Sequence, residues 1–387
     1  MNRVIEVKDV LDSATKFGKD SVLHWDPTKF RDNKSKNKTT KFDCTWVDIY
    51  FKHTNGEKVP LRVKFTKVLT ASAAKISESV EENAAVKNML IAFREFKKEE
   101  ILAGDYAPKE KQTEEEQKIE NEKCEKNVEV YCLSTKQFND ALEIIDLSYH
   151  KVCQELKDAA SLGFKLRKAS TFKKNEDVPV FSIRQTVRKD KENDDEEVAL
   201  QYPITRLKLL VNKDTGRVGI DMYNRDTRTF VFAPNVYDSR KMTEANKYKP
   251  VLAKVKEENK LKDLDVRNAG SFITYKSLIG GIIEFPEIIV SKFGLSLSSK
   301  FRELYVRRYK KSEAEAVFSN DDIKGLNDGC EENESDSDVE LKSGQKNTDE
   351  VKEIGNDDDV SDIDDKVSDD SLEKDDNDVD EQESDLE

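Results

Sequence analysis

Cationic and aromatic side chains interleave in several segments of this sequence. They lie on a candidate β-hairpin, in the stretch 164–191, on a central candidate strand and at alternate positions near residue 307: Phe51, Lys58, Arg62, Lys64, Lys165, Arg167, Lys168, Phe172, Arg184, Arg188, Arg206, Lys208, Tyr305, Arg307 and Tyr309. Cations spaced along a surface neutralise phosphates, and exposed rings stack on bases. The pattern therefore predicts a surface for unpaired nucleic acid, either DNA or RNA.

A plainer interpretation competes with this prediction. The cations would then be solvated outer faces of strands, and the rings would belong to the core. For any one segment the plainer interpretation is favoured, whereas the segments together, next to an acidic tail, favour binding. Duplex DNA would use the same cations, but no helix-turn-helix or zinc-finger pattern occurs, and the interleaved rings favour single strands.

Signatures of catalysis are missing from the sequence. There is no Walker A sequence, no GxGxxG after a strand, no GxSxG and no HExxH. The three histidines are scattered, and the five cysteines form no CxxC. We therefore predict a non-enzymatic protein without cofactor or metal, and cysteine usage that suits a reducing compartment. A carboxylate-only metal site and an unrecognised enzyme stay open as alternatives.

Charge divides the chain into two unlike regions. Residues 312–387 hold 31 acidic and 6 basic residues, a net charge of -25. Because the whole chain has 80 acidic and 66 basic residues, residues 1–311 keep 49 acidic and 60 basic ones, a net charge of +11. The first region is predicted to be a basic, folded nucleic-acid-binding body. The second lacks the apolar residues that a core needs and is predicted to be a disordered acidic tail.

The acidic tail suggests two kinds of role. A flexible polyanion can occupy a basic surface and be displaced by nucleic acid, and it can also recruit replication proteins. Ser335, Ser337, Ser361 and Ser384 each have an acidic residue three positions later, which makes them candidate phosphorylation sites. Two alternatives remain: a tail that only solubilises, and a chromatin-like interaction factor that does not bind single strands.

Hydrophobic patterns predict an α+β fold. A helix is expected around 7–17 and another at 135–157, while the Lys/Glu-rich stretches predict a mobile insertion near 104–127 and a helix at 240–263. Asn55-Gly56 predicts a two-residue hairpin turn, which would place Trp46 and Tyr50 in the core and Phe51 on the other face. Gly280-Gly281 predicts a bulge. Further strands are expected at 86–97, 128–133, 178–187, 204–211, 217–223, 229–232, 271–277, 282–285 and 287–293.

Three blocks of the sequence resemble one viral family. They are LHWD at 23–26 with the hairpin that follows, the segment 203–212, and the segment 271–293 with its Gly280 and Phe285-Pro286. Together they resemble the OB-fold single-stranded-DNA-binding proteins of large nucleocytoplasmic DNA viruses, including the African swine fever virus member. The resemblance covers about a quarter of the chain, and neither the insertion near 104–127 nor the acidic tail belongs to it.

The resemblance implies a fold, an activity and a place of action. The fold would be an OB-like antiparallel β-barrel decorated with helices, and the activity would be sequence-nonspecific single-stranded-DNA binding in viral replication. Because no signal peptide and no apolar run of about 18 residues occurs, we also expect an intracellular protein without a membrane segment. Its location would then be the host cytoplasm or nucleus.

Overall fold

The computed structural model describes residues 3–32, 45–76, 89–161, 174–189, 197–212, 215–224, 229–291 and 293–309. All of these lie in the first of two units, Met1–Ser319, and the second unit, Asn320–Glu387, lies outside the described residues. Also outside them are four predicted site residues and the four candidate phosphorylation sites: Lys165, Arg167, Lys168, Phe172, Ser335, Ser337, Ser361 and Ser384.

The described residues form a mixed α+β fold that consists mostly of sheets, as the sequence predicted. The helices are α1 (Val7–Phe17), α2 (Lys98–Ile101), α3 (Glu114–Ser161) and α4 (Ala269–Phe272). The strands are β1 (Ile5–Glu6), β2 (Leu23–Asp32), β3 (Thr45–Lys52), β4 (Lys58–Pro60), β5 (Arg62–Leu69), β6 (Lys75–Ile76), β7 (Met89–Phe93), β8 (Val180–Phe181), β9 (Arg184–Lys189), β10 (Glu197–Leu209), β11 (Ile220–Asn224), β12 (Thr229–Ala233), β13 (Val236–Asp238), β14 (Lys254–Glu257), β15 (Lys260–Asp263), β16 (Leu278–Glu284), β17 (Glu287–Ser291), β18 (Gly294–Leu297) and β19 (Lys300–Arg307).

The strands associate into three sheets and two ribbons. One five-stranded sheet has the order β1-β5-β16-β19-β13, and a six-stranded sheet has the order β2-β3-β17-β18-β8, with β4 paired to β3. A four-stranded sheet has the order β6-β7-β10-β9, while β11–β12 and β14–β15 are two-stranded ribbons. No closed barrel forms among the described strands.

Helix α3 is the centre of the hydrophobic core. Its buried side chains recur at alternating spacings of three and four, which places them on one face: Tyr131, Thr135, Phe138, Leu142, Ile145, Tyr149, Val152 and Leu156. Phe138 stacks on Phe65 of β5 at 4.6 Å between ring centroids and meets Phe93 of β7 edge-on. The Tyr149 hydroxyl donates to the Leu295 carbonyl of β18 at 2.8 Å. The helix therefore contacts all three sheets.

The β3–β4 hairpin has a register one residue away from the predicted one. Lys52 pairs with Lys58, and the Gly56 N–H donates to the His53 carbonyl, so that the loop holds three residues. Gly56 has a φ of 83°, the left-handed conformation that such a loop needs at its last position. A shift of one residue exchanges the two faces of a strand. Phe51 is consequently fully buried and was wrongly predicted to be a binding residue.

Four other predicted elements differ from the structure. The expected mobile insertion near 104–127 contains a 3₁₀ turn, Gly104–Tyr106, and the first turns of α3. The predicted strand 128–133 is also part of α3. The predicted helix 240–263 is instead two 3₁₀ turns followed by the β14–β15 ribbon. Its turn residues Glu258 and Asn259 both have positive φ, which is typical of a two-residue hairpin loop. The predicted strand 271–277 contains the end of α4.

Candidate nucleic-acid interface

One surface of the five-stranded sheet gathers cations from separate strands. Val63 and Phe65 of β5 are buried, and Arg62 and Lys64 point to the opposite side. Glu284 of β16 lies directly opposite Arg62, and directly opposed residues share a face. This surface, called the outer face below, carries five cations, three carboxylates and two rings: Arg62, Lys64, Lys300, Arg302, Arg307, Glu6, Glu284, Glu303, Tyr237 and Tyr305.

Glu284 is the centre of the charged cluster. Its buried carboxylate accepts from Arg62 Nε at 2.7 Å and from Arg302 Nε at 2.6 Å, and the Lys300 ammonium lies 3.3 Å away. Burial alone would raise the pKa of Glu284, but the Arg62 hydrogen bond and the charges of Lys300 and Arg302 outweigh burial and lower that pKa. Three cations thus share one carboxylate, which leaves excess positive charge and fixes the guanidinium positions.

The replacement Glu284→Gln tests this cluster through stability. Because the folded-state pKa lies below the ordinary value of 4.5, the stabilisation is complete above about pH 4.5 and disappears as pH falls through the folded-state pKa. We expect E284Q to lower the free energy of unfolding at pH 7 by about 2 kcal/mol, since charged hydrogen bonds are lost. Urea denaturation at pH 7 and pH 4 measures this, and the difference between wild type and variant should shrink at pH 4.

The exposed carboxylate Glu110 supplies the matched control for this replacement. It changes the same charge away from the cluster, so E110Q should leave the free energy of unfolding within about 0.5 kcal/mol of wild type. Equal losses in E284Q and E110Q at pH 7 would contradict the role given to the cluster.

The rings of Tyr237 and Tyr305 form a stacked pair on the same face. Their centroids are 5.1 Å apart, and their planes meet at 24°. Tyr305 lies opposite Gly280, so no side chain covers it from β16. Its hydroxyl donates to Glu303 at 3.1 Å. Burial and the nearby Glu303 charge raise the pKa of Tyr305 to about 12, and the phenol is neutral at physiological pH.

A groove of about 440 Å³ runs between the outer face and the β11–β12 ribbon. Its floor includes Arg62, Arg302 and Tyr237, and its ribbon wall includes Ile220 and Met222. The groove thus combines cations, a ring and an apolar wall, which is the combination that unpaired strands use.

The structure brings together only part of the predicted site. Arg62, Lys64, Tyr305 and Arg307 share the outer face, whereas Tyr309 lies beyond β19 and stacks on Tyr106 at 5.5 Å. Lys58 belongs to the six-stranded sheet.

The remaining predicted cations lie on the four-stranded sheet and do not line up. Arg184 bonds Glu143 of α3, on the side of the buried Thr205, while Arg206 is exposed beside Gln185. Arg188 is exposed at the far end of the same strand pair. Lys208 is half-buried, and burial lowers its pKa. This sheet therefore offers no continuous row of charges among the described residues.

Sequence reasoning missed three members of the interface: Tyr237, Lys300 and Arg302. A signal for the two cations existed, because the apolar positions Phe301, Leu304 and Val306 change spacing from three to two. That change marks the β-bulge at Arg302, where Ile282 pairs with Glu303 and Ile283 pairs with Phe301. The bulge directs Lys300 and Arg302 to the same face as Tyr305 and Arg307.

Comparison with protein-family models and with curated proteins finds no match for this chain. Among the described helices, none combines the length and apolarity needed to cross a bilayer. In the described ranges, no three His, Cys, Asp or Glu side chains are grouped so that they could hold a metal ion.

Proposed function

We propose that this protein binds single-stranded DNA, with single-stranded RNA as the alternative ligand, through the outer face and its groove. The observation that carries the proposal is the meeting of Arg62, Arg302 and Tyr237 on one groove floor. Arg307 extends the positive surface, and Lys64, whose ammonium pairs with Glu6 at 3.0 Å, would exchange that carboxylate for a phosphate. The cations would hold phosphates, and the rings would stack on bases without selecting a sequence.

The proposal concerns binding rather than catalysis. Residues 23–65, 203–212 and 271–293 resemble the viral OB-fold family. That resemblance would imply an OB-like barrel and a role in viral DNA replication, in the host cytoplasm or nucleus. Binding at the outer face needs only an open sheet and a neighbouring ribbon, and it does not depend on barrel closure. The acidic tail would compete for the same cations and recruit replication proteins, with Ser335, Ser337, Ser361 and Ser384 as phosphorylation sites.

The proposal is tested by comparing an unpaired strand with a duplex. Fluorescence anisotropy would use labelled oligo-dT of about 16 nucleotides, the upper end of single-strand site sizes, and a duplex of matched length. Because bases in a duplex cannot stack on protein rings, we expect oligo-dT to bind at least about tenfold more tightly at each of two salt concentrations.

A pair of variants at Tyr305 separates stacking from charge. Tyr305→Leu removes the ring and should reduce the preference for oligo-dT, whereas Tyr305→Phe keeps the ring and should preserve it. Equal binding to oligo-dT and duplex would contradict the proposal. Pull-down of basic proteins by the isolated tail, without nucleic-acid binding by the full chain, would instead favour the interaction-factor alternative.

A further inference from the structure

A second cationic pocket lies between α3 and the edge of the six-stranded sheet. It has a volume of about 310 Å³ and shares no lining residue with the groove of the outer face. The polar side chains that line it come from the α1–β2 loop, from β2, β3 and β4, and from α3: Asp20, Ser21, His24, Lys52, Lys58, Lys151 and Glu155.

Four nitrogen-bearing side chains line this pocket: His24, Lys52, Lys58 and Lys151. The Lys58 ammonium lies 2.5 Å from Nε2 of His24, to which it donates. Lys52 lies over the Phe17 ring, 4.0 Å from its centroid. Lys151 donates to the Ser21 hydroxyl at 2.7 Å. Lys58 thus contacts the imidazole, while Lys52 and Lys151 line the same pocket from β3 and α3.

The carboxylates of the pocket do not balance these cations. Glu155 accepts from the Trp25 indole N–H at 2.9 Å, and Asp20 is held by the Ser21 hydroxyl and lies 3.4 Å from Lys151. Burial, followed by the Lys58 charge, lowers the pKa of His24, although Glu155 and the nearby Asp26 act in the opposite direction. The imidazole is therefore neutral at neutral pH.

We propose that this pocket binds a phosphate group, held by Lys52, Lys58 and Lys151 with His24 as a further donor. A phosphate dianion presents several strong acceptor oxygens, and ammonium groups on separate elements can each reach a different one. Among the lining residues three ammonium groups face two carboxylates, Asp20 and Glu155, and Asp26 lies near His24. The site is independent of the outer face, so it can fail without affecting the single-strand proposal.

Binding would change the protonation of His24. A phosphate beside the ring favours the charged imidazolium, which makes both ring nitrogens donors and frees Lys58 to face the anion. The two effects are linked: the factor by which His24 protonation increases the affinity for phosphate equals the factor by which bound phosphate increases the proton affinity of His24. This shift is a readout that does not depend on any knowledge of the natural ligand.

The experiment follows the imidazole signals by NMR in the full chain. With three histidines in the sequence, His24, His53 and His150, a ¹³C-histidine-labelled sample gives one titration curve per residue. We expect inorganic phosphate to raise the pKa of His24 and to leave the curves of His53 and His150 unchanged, compared with sodium chloride at equal ionic strength. Unchanged curves for all three, or equal shifts in all three, would overturn the proposal.

Variants and oligonucleotides complete the test. Lys58→Ala should weaken phosphate binding about tenfold or more, because a charge-assisted hydrogen bond is lost, whereas K256A on the exposed β14 should not. The curves of His53 and His150 report whether each variant remains folded. Oligo-dT with a 5′-phosphate, compared with the 5′-hydroxyl form, then distinguishes a strand terminus from free phosphate as the source. A K58A variant with unchanged phosphate affinity would also overturn the proposal.

Discussion

Simultaneous replacement of Lys64, Lys300 and Arg307 by alanine is expected to weaken oligo-dT binding about 100-fold near 0.1 M salt. Each cation that neutralises a phosphate of a single strand contributes about 0.7 to the slope of log K against log salt, or about fivefold in affinity at that salt. The three residues lie on two strands of the outer face, β5 and β19. Fluorescence anisotropy measures the loss directly.

The choice of these three cations protects the fold. Glu284 keeps its closest partners, Arg62 and Arg302, so the buried carboxylate stays compensated. A control with Lys249, Lys256 and Lys260 replaced by alanine removes the same charge from exposed positions away from the outer face. If both triple variants lose the same affinity, the effect is one of net charge, and binding does not belong to the outer face.

Deletion of residues 312–387 is expected to tighten oligo-dT binding. The tail has a net charge of -25 and is joined to a body with a net charge of +11, so we expect it to compete with nucleic acid for the same cations. A coupling free energy of the usual size between the tail and the nucleic acid corresponds to a change of about 5–150-fold in the affinity for oligo-dT. The gain should be largest at low salt and shrink as salt screens both interactions.

A chain in which 25 of the 31 tail acids are replaced by Asn and Gln isolates charge from length, because the six remaining acids balance the six tail lysines. The chain with this neutral tail should bind oligo-dT as tightly as the chain that lacks residues 312–387. Equal affinities of the wild type and both altered chains across the salt range would remove the competition mechanism, while the outer-face prediction would stand.

The sequence predicted local helical structure well where one apolar face was present. Helix α1 has the expected bounds, Val7–Phe17, and its first turn is fixed by the Glu6 and Asp9 capping box. The strand expected at 128–133 failed because Val128 and Tyr131 also fit the spacing of the buried face of α3. A short apolar run does not distinguish a strand from part of a long helix, and the packing of α3 against three sheets decided the outcome.

Turn chemistry explains the other failures. Lys and Glu favour helices, but in β14–β15 they pair across a hairpin, as Lys262 does with Glu257 at 2.9 Å. The hairpin at Asn55-Gly56 was predicted correctly, but its loop has three residues and not the two that were predicted. The error of one residue placed Phe51 on the binding surface when it belongs to the core.

Only some residues of the candidate interface could be predicted from the sequence. Alternation predicted that Tyr305 and Arg307 share a face, and the Gly280-Gly281 bulge was expected and is present between β16 and β5. No local pattern relates Tyr237 to Tyr305, because they meet through the parallel pairing of β13 with β19. Pairings between strands far apart in the chain come from the tertiary fold, which is why the groove could not be predicted.

The decisive measurement is the salt dependence of oligo-dT binding by the wild type and by the Lys64, Lys300 and Arg307 triple alanine variant. With three phosphate contacts removed, the slope of log K against log salt should become less steep by about 2. The Lys249, Lys256 and Lys260 variant should keep the wild-type slope. Parallel lines for the wild type and the outer-face variant would show that these cations do not contact the strand.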